Sequence, residues 1–393
     1  MEAPPRYGRD GYVCMLIKSL YGLKSAGRLW NDTIDKWFKK MGYKQSTYDP
    51  CLYYYKNGDR FIYVALYVDD CIYVGDDEYM RDFEHAISAE FKVRLLGNAK
   101  TFLGMEIDKN SQKGTVEITQ KKYIKNIANK FGLAHAKPVH SPLPPKIDKH
   151  LEKATSDQDA DNELYRSIIG SLMYAQNLCR PDISFAVSKL SRYLNAPKMT
   201  HLKLAKRVVS YLYTTSNFGI KYSKNSFKRN KFFGYADADF ASDILDRKSV
   251  TGWIFMYGNG AISWRSLKQS CVALSTPEAE YLSVSDAAKE ARSLRKLQSE
   301  FLNLDLNHKL NSIKIWEDNR GAELWCRNPA QPSKSKQIDI CYHHIRDEVK
   351  KGSIIIGKIP TEHQLADLLT KSLHRERHHE LMLKFSGYTR PKI

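Results

Sequence analysis

Two runs of β-forming apolar residues, Phe61–Val68 and Cys71–Val74, are separated only by Asp69-Asp70. That spacing leaves one simple fold for the stretch: strand, tight turn, strand, with two adjacent acids at the tip. Aspartate is a common turn residue, and a pair of them can do no more than solvate a hairpin end. The flanking runs, however, are apolar at successive positions, so the hairpin is expected to be buried on both faces. Two carboxylates at the end of buried strands repel each other unless a cation lies between them. Mg²⁺ takes oxygen ligands and bridges to phosphates, which makes Asp69 and Asp70 candidate metal ligands.

Charge points the same way. The 62 Lys and Arg against 44 Asp and Glu give +18, which holds a protein near polyanions because phosphate contacts release counterions. The 7 cysteines are scattered, with neither a CxxC pair nor a zinc spacing, and fit reduced thiols better than a disulfide framework. No stretch approaches the ~18 uninterrupted apolar residues of a membrane span, and the first ten residues lack an apolar signal core. The expectation is a soluble intracellular protein with no membrane partner.

The 393 residues suffice for roughly two or three domains. Up to about Ile107, short β-rich runs alternate with helix; one helix, from about Ala26 to Met41, carries Leu29, Trp30, Ile34, Trp37 and Phe38 at helical spacing. From about Ile118 to Ser223 the pattern is mainly helical, interrupted by Ser141-Pro-Leu-Pro-Pro145 and by the polar stretch His150–Asp161, expected to be a loop. The basic stretch Lys224–Lys231 reads as a linker. Beyond it, strands, a long helix, another strand and a final helix give an α/β order.

That last region holds a second set of acids. Phe232–Asp237 is a strand ending in an acid, followed by Ala238-Asp239. Thr276-Pro277 suits the N-cap and first position of the long helix. At about 100° per residue, Glu280 shares a face with Val284, Ala287, Ala291 and Leu294, whereas Glu278 falls opposite, a favourable first-turn charge. An acid on the packing face needs a partner, so Glu280 is the ligand candidate. Asp318 closes the strand Ser312–Asp318, at the carboxyl end where ligands of α/β sheets gather. Asp367 follows Thr361 and Gln364, which stand in capping-box spacing, and periodicity turns it away from Leu365 and Leu369 toward solvent.

Several of these motifs together resemble one family. Tyr67-Val-Asp-Asp70 resembles the polymerase signature of reverse transcriptases, and its neighbours match the copia-type retrotransposon branch. Ser19-Leu-Tyr-Gly-Leu-Lys-Ser-Ala26 with Arg28-Leu-Trp-Asn31 is similar to that family's template- and nucleotide-contacting segment, and Phe102-Leu-Gly-Met-Glu-Ile107 to its primer-grip hairpin. The resemblance implies nucleotide or nucleic-acid contacts for Gly22, Lys24, Tyr67, Gly104 and Met105. The family's polymerase site takes a third Asp from an apolar strand upstream, but before Ser19 the only Asp is Asp10, in the turn-like Gly8-Arg-Asp-Gly11. The expectation is a partial palm that does not polymerise as an isolated chain.

Leu164-Tyr-Arg166, Gly170–Tyr174, Arg180-Pro-Asp-Ile183 and Leu202–Arg207 resemble the family's thumb and connection, whose Lys and Arg would ride the backbone of a hybrid. Tyr235–Asp239, Leu274–Tyr281, Glu317-Asp-Asn319, Ile359–Thr361 and Ala366–Lys371 resemble its ribonuclease H module, as do Arg247–Gly252 and Gln337-Ile-Asp-Ile340, with Gln337 where the family has His. The resemblance implies that Asp237, Glu280, Asp318 and Asp367 hold two Mg²⁺ ions, with Mn²⁺ able to substitute; Asp239 and Glu317 compete for these roles.

The organisation implied is α/β (α+β): a reverse-transcriptase palm half over 1–110, a helical thumb/connection over 111–228, and a ribonuclease H-like mixed sheet over 229–393. The expected partners are an RNA–DNA hybrid, template RNA and a DNA primer, with the upstream part of the polyprotein or another copy of the chain completing the palm. The expected location is cytoplasmic, in a virus-like particle, or nuclear. Two functions fit: Mg²⁺-dependent cleavage of RNA in hybrids, or an inactive relic or co-opted protein that binds nucleic acid without turnover.

Overall fold

The computed structural model describes residues 13, 15–227, 232–302, 311–327 and 336–388. The chain divides into two compact units, Met1–Ala99 and Lys100–Ile393.

In the first unit, α1 (Ala26–Lys40) precedes four strands, β1 (Lys44–Gln45), β2 (Leu52–Asn57), β3 (Arg60–Tyr67) and β4 (Asp70–Gly75), and α2 (Asp77–Glu90) follows. The strands form an antiparallel sheet in chain order, with Tyr67 paired to Asp70 across the turn. Ile62, Val64 and Leu66 of β3 are buried against Ile34, Trp37 and Phe38 of α1 and Phe83 and Ile87 of α2. Alternation then sends Phe61, Tyr63 and Tyr67 to the other face. That face is only partly covered: Tyr63 packs obliquely against Tyr54 and Phe61, and Lys56 lies over Tyr54 and Tyr63. The hairpin is therefore buried on one face, not two. The helices cover a single side, and amphipathic tyrosines tolerate the other. Leu29 of α1 is likewise exposed.

In the second unit, β5 (Thr101–Phe102), β6 (Met105–Asn110) and β7 (Thr115–Thr119) make a meander whose outer neighbour is β8 (Ile220–Ser223). Between β7 and β8 run α3 (Lys121–Lys130), α4 (Ile147–Lys153), α5 (Asn162–Leu178), α6 (Ser184–Leu190) and α7 (Met199–Thr214), packed around Ile168, Leu172, Val208 and Leu212. The stretch expected to be a loop from His150 begins inside α4, because Ile147, Leu151 and Ala154 recur at helical spacing and all are buried. Arg180, expected among the phosphate-riding cations, is 1% exposed. It holds Asp182 in a fork (Nε–Oδ1 2.9 Å, Nη2–Oδ2 2.7 Å) and donates to the Thr215 carbonyl, so it braces the core instead.

A mixed five-stranded sheet follows: β9 (Phe232–Asp239), β10 (Val250–Tyr257) and β11 (Gly260–Lys268), then α8 (Thr276–Leu302), β12 (Ile313–Glu317), α9 (Arg320–Arg327), α10 (Lys336–Lys350), β13 (Ile354–Lys358), α11 (Asp367–Thr370) and α12 (Arg375–Ser386). Its order is β11-β10-β9-β12-β13, antiparallel through β9 and parallel beyond it. α8 lays Val284, Ala287 and Ala291 on this sheet. The sequence predicts one strand and one final helix after α8; β13 and further helices are additions. Cys179 and Ile220 share a buried cluster with Ile254, Met256 and Leu381, so the helical region and the sheet are packed together. Thr361 and Gln364 form no capping box: Thr361–His363 is a 3₁₀ turn, and Gln364 is fully buried with its amide donating to the Ala236 carbonyl at 2.8 Å. Among the described residues no helix is long and apolar enough to cross a membrane. Asp10, Lys228–Lys231 of the expected linker and the Gln337 side chain lie outside the described residues.

Candidate metal centre

Asp237 sits near the end of β9, with Gly252 of β10 opposite it in register. A side chain at Gly252 would bring a Cβ within 2.6 Å of Thr370 Cγ2 and 2.8 Å of Leu369 Cβ. Glycine there lets α11 close onto the sheet, and the Thr370 hydroxyl then donates to Asp237 Oδ2. Glu280, one turn into α8, faces the sheet, and its Oε2 accepts the Ala238 amide at 2.6 Å. Asp318 follows the last residue of β12. One carboxylate oxygen from each of Asp237, Glu280 and Asp318 lies within 4.8 Å of the other two.

Electrostatics match this crowding. Burial pushes the Asp237 carboxyl up to about 6, Lys371 opposes the rise, and Asp367 and Asp318 add to it. Burial, then Asp237, Glu317 and Asp318, hold Glu280 well above the usual carboxylate range. Packed like charges of this kind are relieved by a cation, and three hard oxygen donors suit a divalent one. On donor chemistry and spacing, the residues fit such an ion.

Glu317, which the sequence offers as a competitor for these roles, is fully buried. Its Oε1 accepts the Asn319 amide at 2.9 Å, and its Oε2 is buried with no hydrogen-bond partner. Burial, with Asp237 and Asp318 nearby, raises it well above the carboxylate range. Alternation carried the signal, since Ile313, Ile315 and Glu317 share the buried face of β12. Asp239 is half-buried and also raised by burial.

Asp367 is buried rather than solvated. Its Oδ1 lies 2.8 Å from Lys371 Nζ and its Oδ2 3.4 Å from Arg377 Nη2. Periodicity misplaces it because α11 is a four-residue helix, too short for a face. The structure thus gathers Asp237, Glu280 and Asp318 and keeps Asp367 in an ion pair.

The first unit holds Gly22, Lys24, Tyr67, Asp69 and Asp70, all exposed. Val68 takes the left-handed conformation (φ 55°), and its carbonyl accepts the Trp30 indole N–H at 2.6 Å, which fixes the turn to α1. Gly22 has φ 94° in open surroundings. In the second unit, Gly104 (φ 70°) turns the β5–β6 hairpin beside half-buried Met105. The Tyr174 hydroxyl donates to the neighbouring Leu103 carbonyl at 2.8 Å.

Residues 1–145 match the family described as reverse transcriptase (RNA-dependent DNA polymerase). The chain is 36% identical over 386 residues to the retrovirus-related Pol polyprotein from transposon TNT 1-94 of Nicotiana tabacum, covering 96% of this chain and 28% of that one. It is 32% identical over 295 residues to the putative transposon Ty5-1 protein of Saccharomyces cerevisiae, covering 74% of this chain and 94% of that one. Among solved structures, the foamy viral protease-reverse transcriptase in complex with RNA/DNA hybrid aligns over 87% of this chain and 39% of its own, at 14% identity and a TM-score of 0.48.

Proposed function

The chain belongs to the copia-type retrotransposon Pol family, and from that we propose that it carries a Mg²⁺-dependent ribonuclease H activity on the RNA of RNA–DNA hybrids, joined to reverse-transcriptase segments. The observation that carries the reading is the convergence of Asp237, Glu280 and Asp318 from β9, α8 and the end of β12. These side chains would hold divalent ions, with Asp367 as a further carboxylate at the margin. Bound there, such ions supply a water of lowered pKa and positive charge against the leaving 3′ oxygen. The chain's own part is orientation. Thr370 fixes one Asp237 oxygen, the Ala238 amide fixes Glu280, and Gly252 admits α11 to the sheet. Asp69 and Asp70 would be metal ligands of polymerisation in the longer polyprotein, with Tyr67, Gly22, Lys24, Gly104 and Met105 along template, nucleotide and primer.

The purified chain, given a labelled RNA–DNA hybrid and Mg²⁺, should cut the RNA strand, and Asp318→Asn should not. Binding of the hybrid without cleavage by the wild type would instead establish an inactive nucleic-acid-binding protein.

A further inference from the structure

Lys371 does something that a lysine at the rim of a metal site need not do. Its ammonium lies 3.4 Å from Asp237 Oδ2 and 2.8 Å from Asp367 Oδ1, so one cation bridges the buried cluster to the carboxylate beside it. Its position is fixed from behind. Thr370, the preceding residue, is fully buried, bonded to Asp237 and seated over Gly252. The other Asp367 oxygen is engaged by Arg377, so both of its oxygens already face cations.

We infer that Lys371 is a built-in cation of this centre, and that a second divalent ion enters between Asp237 and Asp367 only by displacing its ammonium group. The inference rests on the divalent-ion reading above. Geometry decides the order of filling. The Lys371 ammonium already lies against Asp237 Oδ2 and Asp367 Oδ1, so a second divalent ion between these carboxylates meets a cation in its place, and two unscreened like charges in one partly buried gap are costly unless one leaves. Lys371 is the group able to leave: its side chain is 35% exposed on a flexible stem, whereas Arg377 also donates to the Thr361 and Glu362 carbonyls.

The test is a Mn²⁺ titration of the full chain without nucleic acid, with free Mn²⁺ read from its electron paramagnetic resonance signal. The wild type should bind one ion, with any second at least about tenfold weaker. Lys371→Met should strengthen the second site by about tenfold or more, Lys371→Arg should restore wild-type binding, and Lys371→Met/Asp367→Asn should lose the gain. Two ions of equal affinity in the wild type would overturn the inference, and that result depends on no variant. A Lys371→Met isotherm superposed on the wild type's, for a variant melting normally in EDTA, would overturn it too; Lys371→Gln serves if the methionine variant does not fold. No Mn²⁺ binding by the wild type would sink the metal reading itself, and this inference with it.

Discussion

The molecule places acids at strand ends twice, in opposite surroundings. At the β3–β4 turn, Asp69 and Asp70 are both exposed, at the tip of a hairpin whose less covered face carries Phe61 and Tyr63 beside Tyr54 of β2. At the ends of β9 and β12, Asp237 and Asp318 meet Glu280 beneath α8 and α11, with Asp237 and Glu280 buried. Water surrounds the first pair. In the second set desolvation and repulsion raise the proton affinity of Asp237 and Glu280, a cost that a cation among them would relieve. Local sequence is much alike in the two places. What differs is how many elements converge on the acids: one hairpin in the first, and two strands and two helices in the second.

The largest effect that would sharpen this contrast is on chemistry. Removing one ligand charge by Asp237→Asn should lower hybrid cleavage by about a thousandfold, several kcal/mol of lost charge stabilisation. Asp70→Asn should lose far less in the same assay. Equal losses would erase the distinction between the two sites.

Proton linkage comes next. Asp237 stands at about 6 in the folded chain against an ordinary 3.8, so between those values the folded state holds a proton that the unfolded state has released. The metal-free chain should therefore lose stability as pH rises through that window. Divalent ions bind the ionised form, so the melting-temperature gap with and without Mg²⁺ should widen between about pH 5 and about pH 7. A gap independent of pH would show that these carboxylates do not receive the ion.

Two hydrogen-bond deletions complete the comparison. Thr370→Val keeps the side chain's shape but strips a donor from buried Asp237, and should weaken Mn²⁺ binding by about tenfold or more. Trp30→Phe strips the donor from the Val68 carbonyl at the exposed turn. It should cost about 1 kcal/mol in denaturant unfolding of the first unit, a neutral bond that water partly replaces. A larger loss for Trp30→Phe would mean that the hairpin tip is more tightly built than its exposure indicates.

Much of this is legible in sequence. Helical spacing marks α1 to within a residue at its C-terminal end, and the face containing Val284, Ala287 and Ala291 singles out Glu280 over Glu278. The Tyr67–Asp70 hairpin follows from β propensity on both sides of two acids. Errors come where the signal is short or nonlocal. α4 hides in a polar stretch, α11 is too brief for periodicity to orient Asp367, and Arg180 shows no sign of being buried until Asp182 and Thr215 are seen to hold it.

The sequence by itself determines the main strands and long helices, the family, the net charge of +18 and the carboxylates available for chemistry, because propensity, periodicity and motif spacing act within about one turn or strand of each residue. Only the tertiary structure decides that the Asp69-Asp70 tip is open to water on the covered sheet's edge, that Glu317 is fully buried beside the cluster, and that Lys371 bridges Asp237 to Asp367. Burial and Coulomb energy depend on distance in space, and residues 237, 280, 318 and 371 become neighbours only when the sheet closes.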